Sequence, residues 1–232
     1  MMGRIHSIET MGALDGPGLR MVVFLQGCPL RCKFCHNPDT WNPAGGQEMS
    51  PEEIVARAMK LKRFFGKHGG VTFSGGEPLM QAPFVRACVA LLHEQGIHCA
   101  LDTSGGLWNE DAKALLDESD LVLLDVKHSD PDRFRALTGG DPAALDEVLR
   151  HLANTRKPVW VRQVILPGWT AEEAQVRQML RKTAGINRIK TELLPYHTLG
   201  VHKWQTLGIP YALEGVQPPD ADTMRRLRAL TE

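Results

Sequence analysis

Six short apolar stretches alternate with six longer amphipathic stretches, and this alternation limits the fold more than any other feature of the sequence. The short stretches are rich in β-branched residues, as strands are, and the long ones repeat with the helical period. Strands and helices in this order predict a parallel sheet with right-handed crossovers. The predicted strands are residues 20–26, 71–74, 98–102, 121–126, 159–165 and 188–194, and the predicted helices are residues 51–65, 82–95, 110–118, 143–155, 171–183 and 221–230.

The length of the chain indicates that the predicted barrel is incomplete. A closed barrel of eight strand–helix units typically needs about 250 residues, whereas this chain has 232 residues and a long loop at 27–49. We therefore predict an α/β fold, a partial and open TIM-type barrel of about six β/α units on a parallel sheet. No linker or repeat interrupts it, so residues 1–232 form one predicted domain, and residues 4–9 are expected to pair beside the first strand.

The charge balance argues against several classes of partner. Lys and Arg together number 27, as do Asp and Glu, so the formal net charge is zero. A neutral chain without a long basic run gives no electrostatic reason to bind nucleic acid or an anionic membrane. No apolar run has the length of a bilayer span, and the first residues do not resemble a signal peptide, so a cytoplasmic location is expected.

Glycine, cysteine and polar residues directly follow the predicted strands. In parallel β/α folds, ligands bind at the carboxyl ends of the strands. The sequence therefore predicts an active site at that edge of the sheet. The segments concerned are Gly27-Cys28, Gly75-Gly76-Glu77, Thr103-Ser104-Gly105, Lys127-His128, Pro167-Gly168 and Pro195-Tyr196-His197.

Three cysteines lie within eight residues after the first predicted strand. Cys28, Cys32 and Cys35 have the spacing C-x3-C-x2-C, which can bind three irons of a [4Fe-4S] cluster and leave the fourth iron open to a ligand. Two alternatives are a zinc site completed by a histidine, although zinc modules usually supply a second ligand pair, and three buried free cysteines. Cys88 and Cys99 have apolar neighbours and are predicted core residues.

The cysteine loop resembles the signature of the radical S-adenosylmethionine superfamily, because the aromatic Phe34 precedes the third cysteine. The resemblance implies that the methionyl amino and carboxylate groups of S-adenosylmethionine chelate the open iron. One electron then cleaves the sulfonium and gives methionine and a 5′-deoxyadenosyl radical. Gly75, Gly76 and Glu77 resemble the motif that holds the methionyl end, the glycines by close backbone approach and the glutamate by its charge.

Four further strings resemble the glycyl-radical activases of this superfamily, and among them the activases of pyruvate formate-lyase. They are Asp15-Gly16-Pro17-Gly18-Leu19-Arg20, Cys35-His36-Asn37, Asp125-Val126-Lys127 and Leu194-Pro195-Tyr196-His197. The resemblance implies that the radical takes a hydrogen from a glycine Cα in a loop of pyruvate formate-lyase. It also implies reduced flavodoxin or ferredoxin as the electron donor. Each string alone could be an ordinary turn, ion pair or surface segment.

The same resemblance implies roles for individual residues. The residues implied to contact S-adenosylmethionine are Phe34, Cys35, His36, Gly75, Gly76, Glu77, Asp125, Val126, Lys127 and His197. Arg162, inside the fifth predicted strand, would direct a fixed positive charge at the site, although it could instead face solvent.

The resemblance further implies a cation and a contact with the protein substrate. Asp102, Thr103 and Asp125, with the backbone of Leu123, would hold a monovalent cation, Na⁺ or K⁺, since they offer hard oxygen ligands. Asp15 and the adjacent Gly16 would contact the substrate protein.

Two other functions stay open: activation of a different glycyl-radical enzyme, which includes anaerobic ribonucleotide reductase, and a non-catalytic iron–sulfur or zinc protein. Activases of several other glycyl-radical enzymes carry a cysteine-rich insert, but no cysteine lies between Cys35 and Cys88. Activators of anaerobic ribonucleotide reductase share the short loop but are shorter chains. A non-catalytic iron–sulfur or zinc protein is the alternative of another class. An electron carrier would protect every iron with four cysteines, and only three are within reach here.

Overall fold

The computed structural model describes residues 1–231, in which a single sheet carries helices on its outer side. In chain order the strands are β1 (Gly3–Gly12), β2 (Arg20–Leu25), β3 (Gln47–Met49), β4 (Gly70–Gly75), β5 (His98–Thr103), β6 (Leu121–Asp125), β7 (Val159–Ile165) and β8 (Arg188–Pro195). The helices are α1 (Pro51–Phe65), α2 (Ala82–Glu94), α3 (Glu110–Glu118), α4 (Pro131–Thr138), α5 (Pro142–Thr155), α6 (Glu173–Lys182), α7 (Val201–Thr206) and α8 (Ala221–Arg228).

The sheet is an open, mostly parallel barrel. Its strand order is β3-β1-β2-β4-β5-β6-β7-β8, and among the described residues the edge strands β3 and β8 do not pair with each other. β2 and β4 to β8 are parallel neighbours, whereas β1 pairs antiparallel with β2 and with β3. The predicted partial barrel is confirmed, as is the pairing of residues 4–9 beside the first strand.

All six predicted strands and all six predicted helices are present, but three short elements were not predicted. β3, α4 and α7 contain too few residues to show a periodic pattern. α4 begins after Asp130, whose side chain accepts a hydrogen bond from the amide of Arg133 at 2.9 Å. It ends at Gly139, which has the left-handed conformation common after helices.

Alternation along the strands gives the sheet two different faces. On the outer face, residues such as Val71, Phe73 and Leu101 form the main core with the helices. Towards the amino ends of the strands, the inner face carries a small apolar cluster of Ala100, Leu121, Leu123 and Trp160. Towards the carboxyl ends of the strands the inner face becomes polar, where it carries Ser74, Asp102, Asp125 and Arg162.

A second apolar core lies at the carboxyl ends of the strands. Leu30, Cys32 and Phe34 of the cysteine loop pack there with Leu137 of α4 and Tyr196 after β8. This packing ties the loop to the sheet on one side and to α4 on the other. In residues 1–231, none of the helices is long and apolar enough to cross a membrane.

Candidate active site

A cavity of about 560 Å³ opens at the carboxyl ends of the parallel strands. Because the strands end at one edge of the sheet, residues far apart in sequence line it together. The predicted site residues that line it are Asp15, Cys28, Cys32, Phe34, Cys35, His36, Gly75, Gly76, Asp102, Thr103, Asp125, Lys127, Arg162 and His197. Gly16, Glu77 and Val126 do not line it.

The cysteine loop is fixed by backbone hydrogen bonds from both sides. The amides of Arg31 and Lys33 donate to the carbonyls of Thr138 and Leu137, at the end of α4, at 2.7 and 3.0 Å. On the other side, the indole Nε1 of Trp204 in α7 donates to the carbonyl of Cys35 at 2.8 Å. The two helices that were not predicted from sequence therefore position the loop.

The three thiols fit a metal cluster better than they fit a nucleophile or a zinc ion. All five cysteines of the chain are free, and burial raises the pKa of Cys28 and of Cys32 to about 12, so neither is an activated nucleophile. Around one zinc ion, sulfur atoms stand about 3.8 Å apart. In the described residues the sulfurs of Cys28, Cys32 and Cys35 do not all lie within 4.8 Å of one another, so they are not closed around a single ion as a zinc site would be.

The two glycines at the end of β4, Gly75 and Gly76, allow the backbone to touch the start of the cysteine loop. A Cβ on Gly76 would lie 2.1 Å from the carbonyl oxygen of Gly27, and one on Gly75 would lie 2.2 Å from the amide nitrogen of Leu25. Gly75 also has a φ of 108°, which side chains rarely adopt. Glycine is therefore required at both positions for the strand end and the cysteine loop to pack together.

The side chain of Glu77 lies beneath the cavity and is fully buried. Its carboxylate accepts hydrogen bonds from the hydroxyls of Thr103 and Ser104, both at 2.6 Å, and from the amides of Ser104 and Leu79. Burial raises the pKa of Glu77, although these hydrogen bonds oppose the shift. The predicted charge contact with the methionyl end stays a prediction, and in this structure the carboxylate joins the chain after β4 to the end of β5.

Val126 also points away from the cavity. Its side chain is part of the main core, and its amide donates to the carbonyl of Arg162 at 2.9 Å. Its predicted contact with the cofactor stays a prediction. Alternation along the strand explains the direction of its side chain, because Asp125 and Lys127, the residues on either side, do reach the cavity.

Four charged side chains form a chain along the inner wall of the cavity. Arg162 donates from Nη2 to Asp102, and its Nε lies 3.6 Å from Oδ1 of Asp125. Lys127 donates from Nζ to Oδ2 of Asp125 at 2.9 Å, and Ser74 donates to Oδ2 of Asp102 at 2.8 Å. Arg162 thus faces the cavity, and the alternative that it faces solvent is wrong, since only 6% of the residue is exposed.

This network keeps Asp125, Lys127 and Arg162 charged despite their burial. Burial by itself would raise the pKa of Asp125, but Lys127 and Arg162 outweigh it and lower that pKa to about 2. Burial would likewise lower the pKa values of Lys127 and Arg162, but the nearby carboxylates raise both. The wall therefore presents two cations and two carboxylates whose positions are fixed before any ligand arrives.

Three buried polar atoms at the cavity have no hydrogen-bond partner. They are Oδ1 of Asp125, Nε of Arg162 and Nδ1 of His197. Nε of Arg162 and Oδ1 of Asp125 face each other at 3.6 Å as an ion pair, so Nδ1 of His197 is the one of the three without a nearby partner. Buried polar atoms are nearly always hydrogen-bonded, so Nδ1 of His197 indicates the place of a polar ligand group such as a ribose hydroxyl.

Flat side chains line the opposite part of the cavity. The rings of His36 and His197 lie with their centroids 4.1 Å apart and their planes tilted by 31°, and a ring nitrogen of His36 lies 3.1 Å from the carbonyl of His197. Burial and the neighbouring His197 lower the pKa of His36, which favours its neutral form. Phe34 lies below the ammonium of Lys127, 5.5 Å from the ring centroid. A planar base would find flat, mostly apolar surfaces here.

Asp15 enters the cavity from the loop between β1 and β2. Its backbone carbonyl accepts a hydrogen bond from the hydroxyl of Thr72 at 2.7 Å, and that hydroxyl accepts one from Nε of Arg20 at 2.6 Å. Burial, followed by repulsion from Asp102, raises the pKa of Asp15. Gly16 lies behind it, where a Cβ would approach the side chain of Arg20 to 3.0 Å.

The predicted cation ligands are only partly brought together. Asp102 and Asp125 both reach the inner wall, but the positive charge between them is the guanidinium of Arg162. The hydroxyl of Thr103 is already hydrogen-bonded to Glu77. Binding of Na⁺ or K⁺ at this place stays a prediction.

Sequence reasoning did not assign several residues that shape the site. Ser74, Ser104 and Asn37 line the cavity, and Trp204 fixes the carbonyl of Cys35. Ser74 stands directly before the two glycines at a strand end, which is a usable signal. Trp204 lies in a short helix far along the chain, and no local pattern could have indicated its contact.

Fold, cavity and cysteine loop agree with the comparisons with known proteins. A family model described as the radical SAM superfamily matches residues 22–180. The structure is similar to that of Streptococcus suis SuiB bound to precursor peptide SuiA, with a TM-score of 0.71 over 94% of this chain and 46% of that chain at 16% identity, which shows a shared fold. The chain is thus a radical S-adenosylmethionine enzyme, whose cofactors are a [4Fe-4S] cluster and S-adenosylmethionine.

Relatives that match over nearly the whole length narrow this class. The chain is 46% identical over 230 residues to the pyruvate formate-lyase-activating enzyme of Clostridium pasteurianum, covering 98% of this chain and 96% of the relative. It is 43% identical over 235 residues to that of Staphylococcus aureus (strain USA300), covering 97% of this chain and 93% of the relative. The chain belongs to the family of pyruvate formate-lyase-activating enzymes.

Proposed function

We propose that this chain activates pyruvate formate-lyase under anaerobic conditions by generating a glycyl radical on it. The observation that carries the proposal is that three thiols and a preformed network of two cations and two carboxylates line one cavity. Similarity to the activating enzymes over nearly the full length supports the choice of substrate.

Cys28, Cys32 and Cys35 would bind the cluster, since they are the three thiols at the cavity. When bound, the cluster supplies the electron that cleaves the sulfonium of S-adenosylmethionine and yields the 5′-deoxyadenosyl radical. The protein binds and orients these groups and shields them from water.

The charged wall would orient the methionyl end of S-adenosylmethionine. Carboxylate oxygens of Asp102 and Asp125 suit its ammonium, and Arg162 and Lys127 suit its carboxylate. The backbone after β4, at Gly75 and Gly76, offers carbonyl groups without a side chain in the way. Because all these groups are fixed by packing and by one another, binding requires little reorganisation.

The other predicted contacts would be with the nucleoside. Nδ1 of His197 would donate to or accept from the ribose, and Phe34 and His36 would pack against the adenosine. We also keep the proposal of a monovalent cation at Asp102, Thr103 and Asp125 with the backbone of Leu123. It requires Arg162 to share the two carboxylates with the ion.

Asp15 and Gly16 would contact the glycine loop of the substrate protein. Asp15 lies at the wall of the cavity and is anchored through Thr72. A glycine can approach the 5′ carbon closely because it has no side chain, and the radical persists only where water is kept out.

We further propose that reduced flavodoxin or ferredoxin supplies the electron, and that the chain is one domain in the cytoplasm. Five free cysteines suit a reducing compartment. The zero net charge supports the expectation that neither nucleic acid nor a membrane is a partner.

The test is anaerobic reconstitution with iron and sulfide, followed by reduction and incubation with S-adenosylmethionine and pyruvate formate-lyase. We expect a glycyl radical signal in electron paramagnetic resonance and a matching amount of 5′-deoxyadenosine. Asp15→Ala should weaken use of the substrate protein but keep the iron content, whereas Asp222→Ala, an exposed aspartate on α8, should change neither. If a different glycyl-radical enzyme gains the radical and pyruvate formate-lyase does not, the named substrate is wrong.

A further inference from the structure

Three cations on the outer side of the cysteine loop have no carboxylate within ion-pair distance in residues 1–231. They are Arg31, Lys33 and Arg133, which together we term the basic face. The guanidinium of Arg31 donates to the carbonyls of Cys28 and Leu30 at 2.7 and 2.8 Å, and that of Arg133 donates to the carbonyl of Gly168. Other exposed cations, such as Arg57 and Lys60 of α1, also lack an ion pair in residues 1–231, so these three are distinguished by their position around the cysteine loop.

The basic face is held in place by the same contacts that hold the loop. Backbone amides of Arg31 and Lys33 donate to the last carbonyls of α4, whose first turn carries Arg133. Lys33 and Arg133 both lie over the ring of Trp169, at 4.9 Å and 5.3 Å from its centroid. The charges are therefore preorganised rather than carried on freely moving side chains.

Only the cysteine loop separates this face from the sulfur ligands. Arg31 and Lys33 flank the buried Cys32 in sequence, and Cys28 and Cys35 are themselves only partly buried. On the opposite side of the loop lies the cavity, which S-adenosylmethionine and the substrate loop would fill. The basic face therefore borders the segment that carries the cluster ligands.

We propose that the basic face is the docking site of an acidic one-electron donor protein. The inference rests on the proposed function and adds to it the place and the charge of the electron donor. One electron leaves the donor's reduced flavin or iron–sulfur centre, which is oxidised by one electron, and the cluster is reduced by one electron. No bond is made or broken, and no proton needs to move between the proteins.

The arrangement has the properties of a transient electron-transfer contact. Such contacts are small, and charge complementarity supplies orientation and a fast association rate rather than high affinity. Exposed charges are screened by salt, so a contact made by the basic face should weaken steeply as ionic strength rises.

The test uses the reconstituted enzyme with two kinds of reductant. Reduced flavodoxin is the acidic donor, and photoreduced deazaflavin is a small donor that needs no docking face. The variant is Lys33→Glu with Arg133→Glu, and its control is Arg57→Glu with Lys60→Glu, which makes the same change of charge at two exposed positions on α1. The readouts are the rate of cluster reduction, the affinity of flavodoxin for the chain, and cleavage of S-adenosylmethionine.

We expect the Lys33/Arg133 variant to slow reduction by flavodoxin at low salt by about tenfold or more and to lose most of its salt dependence. Its affinity for flavodoxin should fall as well, while reduction by deazaflavin and iron content stay as in the unmodified protein. The α1 control should behave as the unmodified protein. The rate at which flavodoxin reduces the milder variant, Lys33→Gln with Arg133→Gln, should fall between the rates of the unmodified protein and the Lys33/Arg133 glutamate variant.

Three results would overturn the proposal. One is unchanged reduction by flavodoxin in the Lys33/Arg133 variant, and another is an equal loss in the α1 control. The third is a rate in the unmodified protein that does not change between about 0.02 M and about 0.5 M salt, a comparison that needs no variant. If the unmodified enzyme is reduced by deazaflavin and still does not cleave S-adenosylmethionine, the proposed function is wrong. This result is therefore distinct from a failure of the docking proposal.

Discussion

Two buried arginines on the inner face of the sheet show how its two ends differ. Arg20, at the amino end of β2, is fully buried and donates to the hydroxyl of Thr72 and to the carbonyls of Pro17 and Val71 at 2.6 to 3.0 Å. Arg162, towards the carboxyl end of β7, pairs with two carboxylates, yet its Nε has no hydrogen-bond partner.

The pKa values follow the same division. Burial, opposed only weakly by distant anions, lowers the pKa of Arg20 to about 10. At Arg162 burial acts in the same direction, but Asp102 and Asp125 outweigh it and raise the pKa. The comparison teaches that burial of a charge does not by itself indicate a functional site. Buried opposite charges that hold one another ionised along a cavity do, and they occur at the carboxyl end.

The largest expected effect is on cluster binding, which should depend on the three cysteines at the carboxyl end of the sheet and not on the other two. Cys28→Ala, Cys32→Ala or Cys35→Ala should abolish cluster binding and activity, because each removes one of three thiolate ligands. Cys99→Ala, at the amino end of β5, and Cys88→Ala in the core should retain full iron content, with a loss of about 1 kcal/mol in folding stability. The measurement is iron and sulfide per chain after anaerobic reconstitution. Full iron content in Cys32→Ala would contradict the assignment.

The next largest effect concerns folding. Arg20→Gln should lower the free energy of unfolding of the iron-free protein by about 3 kcal/mol, because several buried backbone carbonyls and the Thr72 hydroxyl lose their donor. Arg57→Gln, at an exposed arginine on α1, should change it by less than about 0.5 kcal/mol. Urea denaturation measures both. Equal stabilities for the two variants would show that Arg20 does not hold the amino end together.

A smaller effect should appear at acidic pH. The pKa of Asp125 is lowered from 3.8 to about 2 in the folded protein, so the carboxylate contributes about 2 kcal/mol of stability above pH 3.8, and this is lost as pH falls towards 2. The stability difference between the unmodified protein and Asp125→Asn should therefore shrink over this range. Unfolding at several pH values checks this, and a constant difference would mean that Asp125 is not held ionised by Lys127 and Arg162.

The smallest expected effect is on the affinity for S-adenosylmethionine when one hydrogen bond is removed at either end of the sheet. Ser74→Ala removes the donor to Asp102 and should weaken S-adenosylmethionine binding by about 1 kcal/mol, or roughly fivefold. Ser119→Ala also removes one buried hydrogen bond, to the carbonyl of Leu115, but away from the cavity, so it should leave that affinity unchanged. Calorimetric titration of the reconstituted enzyme distinguishes them. Equal affinities would remove Ser74 from the network.

Much of this architecture is predictable from the sequence because the signals are local. Strand and helix periods indicate the open barrel, and the spacing of Cys28, Cys32 and Cys35 indicates the metal. Contacts between distant segments are not predictable in this way. The orientation of Glu77 depends on two hydroxyls after β5, and the loop is held by α4 and by Trp204. Asp130 and Pro131 are a usable start signal for α4, but eight residues show little periodicity.

The central claim is that the carboxyl end of the sheet binds a cluster with one iron open to S-adenosylmethionine. The direct measurement is the electron paramagnetic resonance spectrum of the reduced, reconstituted protein before and after addition of S-adenosylmethionine. We predict a reduced-cluster signal whose g values change on addition, and no such signal in Cys32→Ala. A spectrum that S-adenosylmethionine leaves unchanged, in protein with full iron content, would contradict the claim.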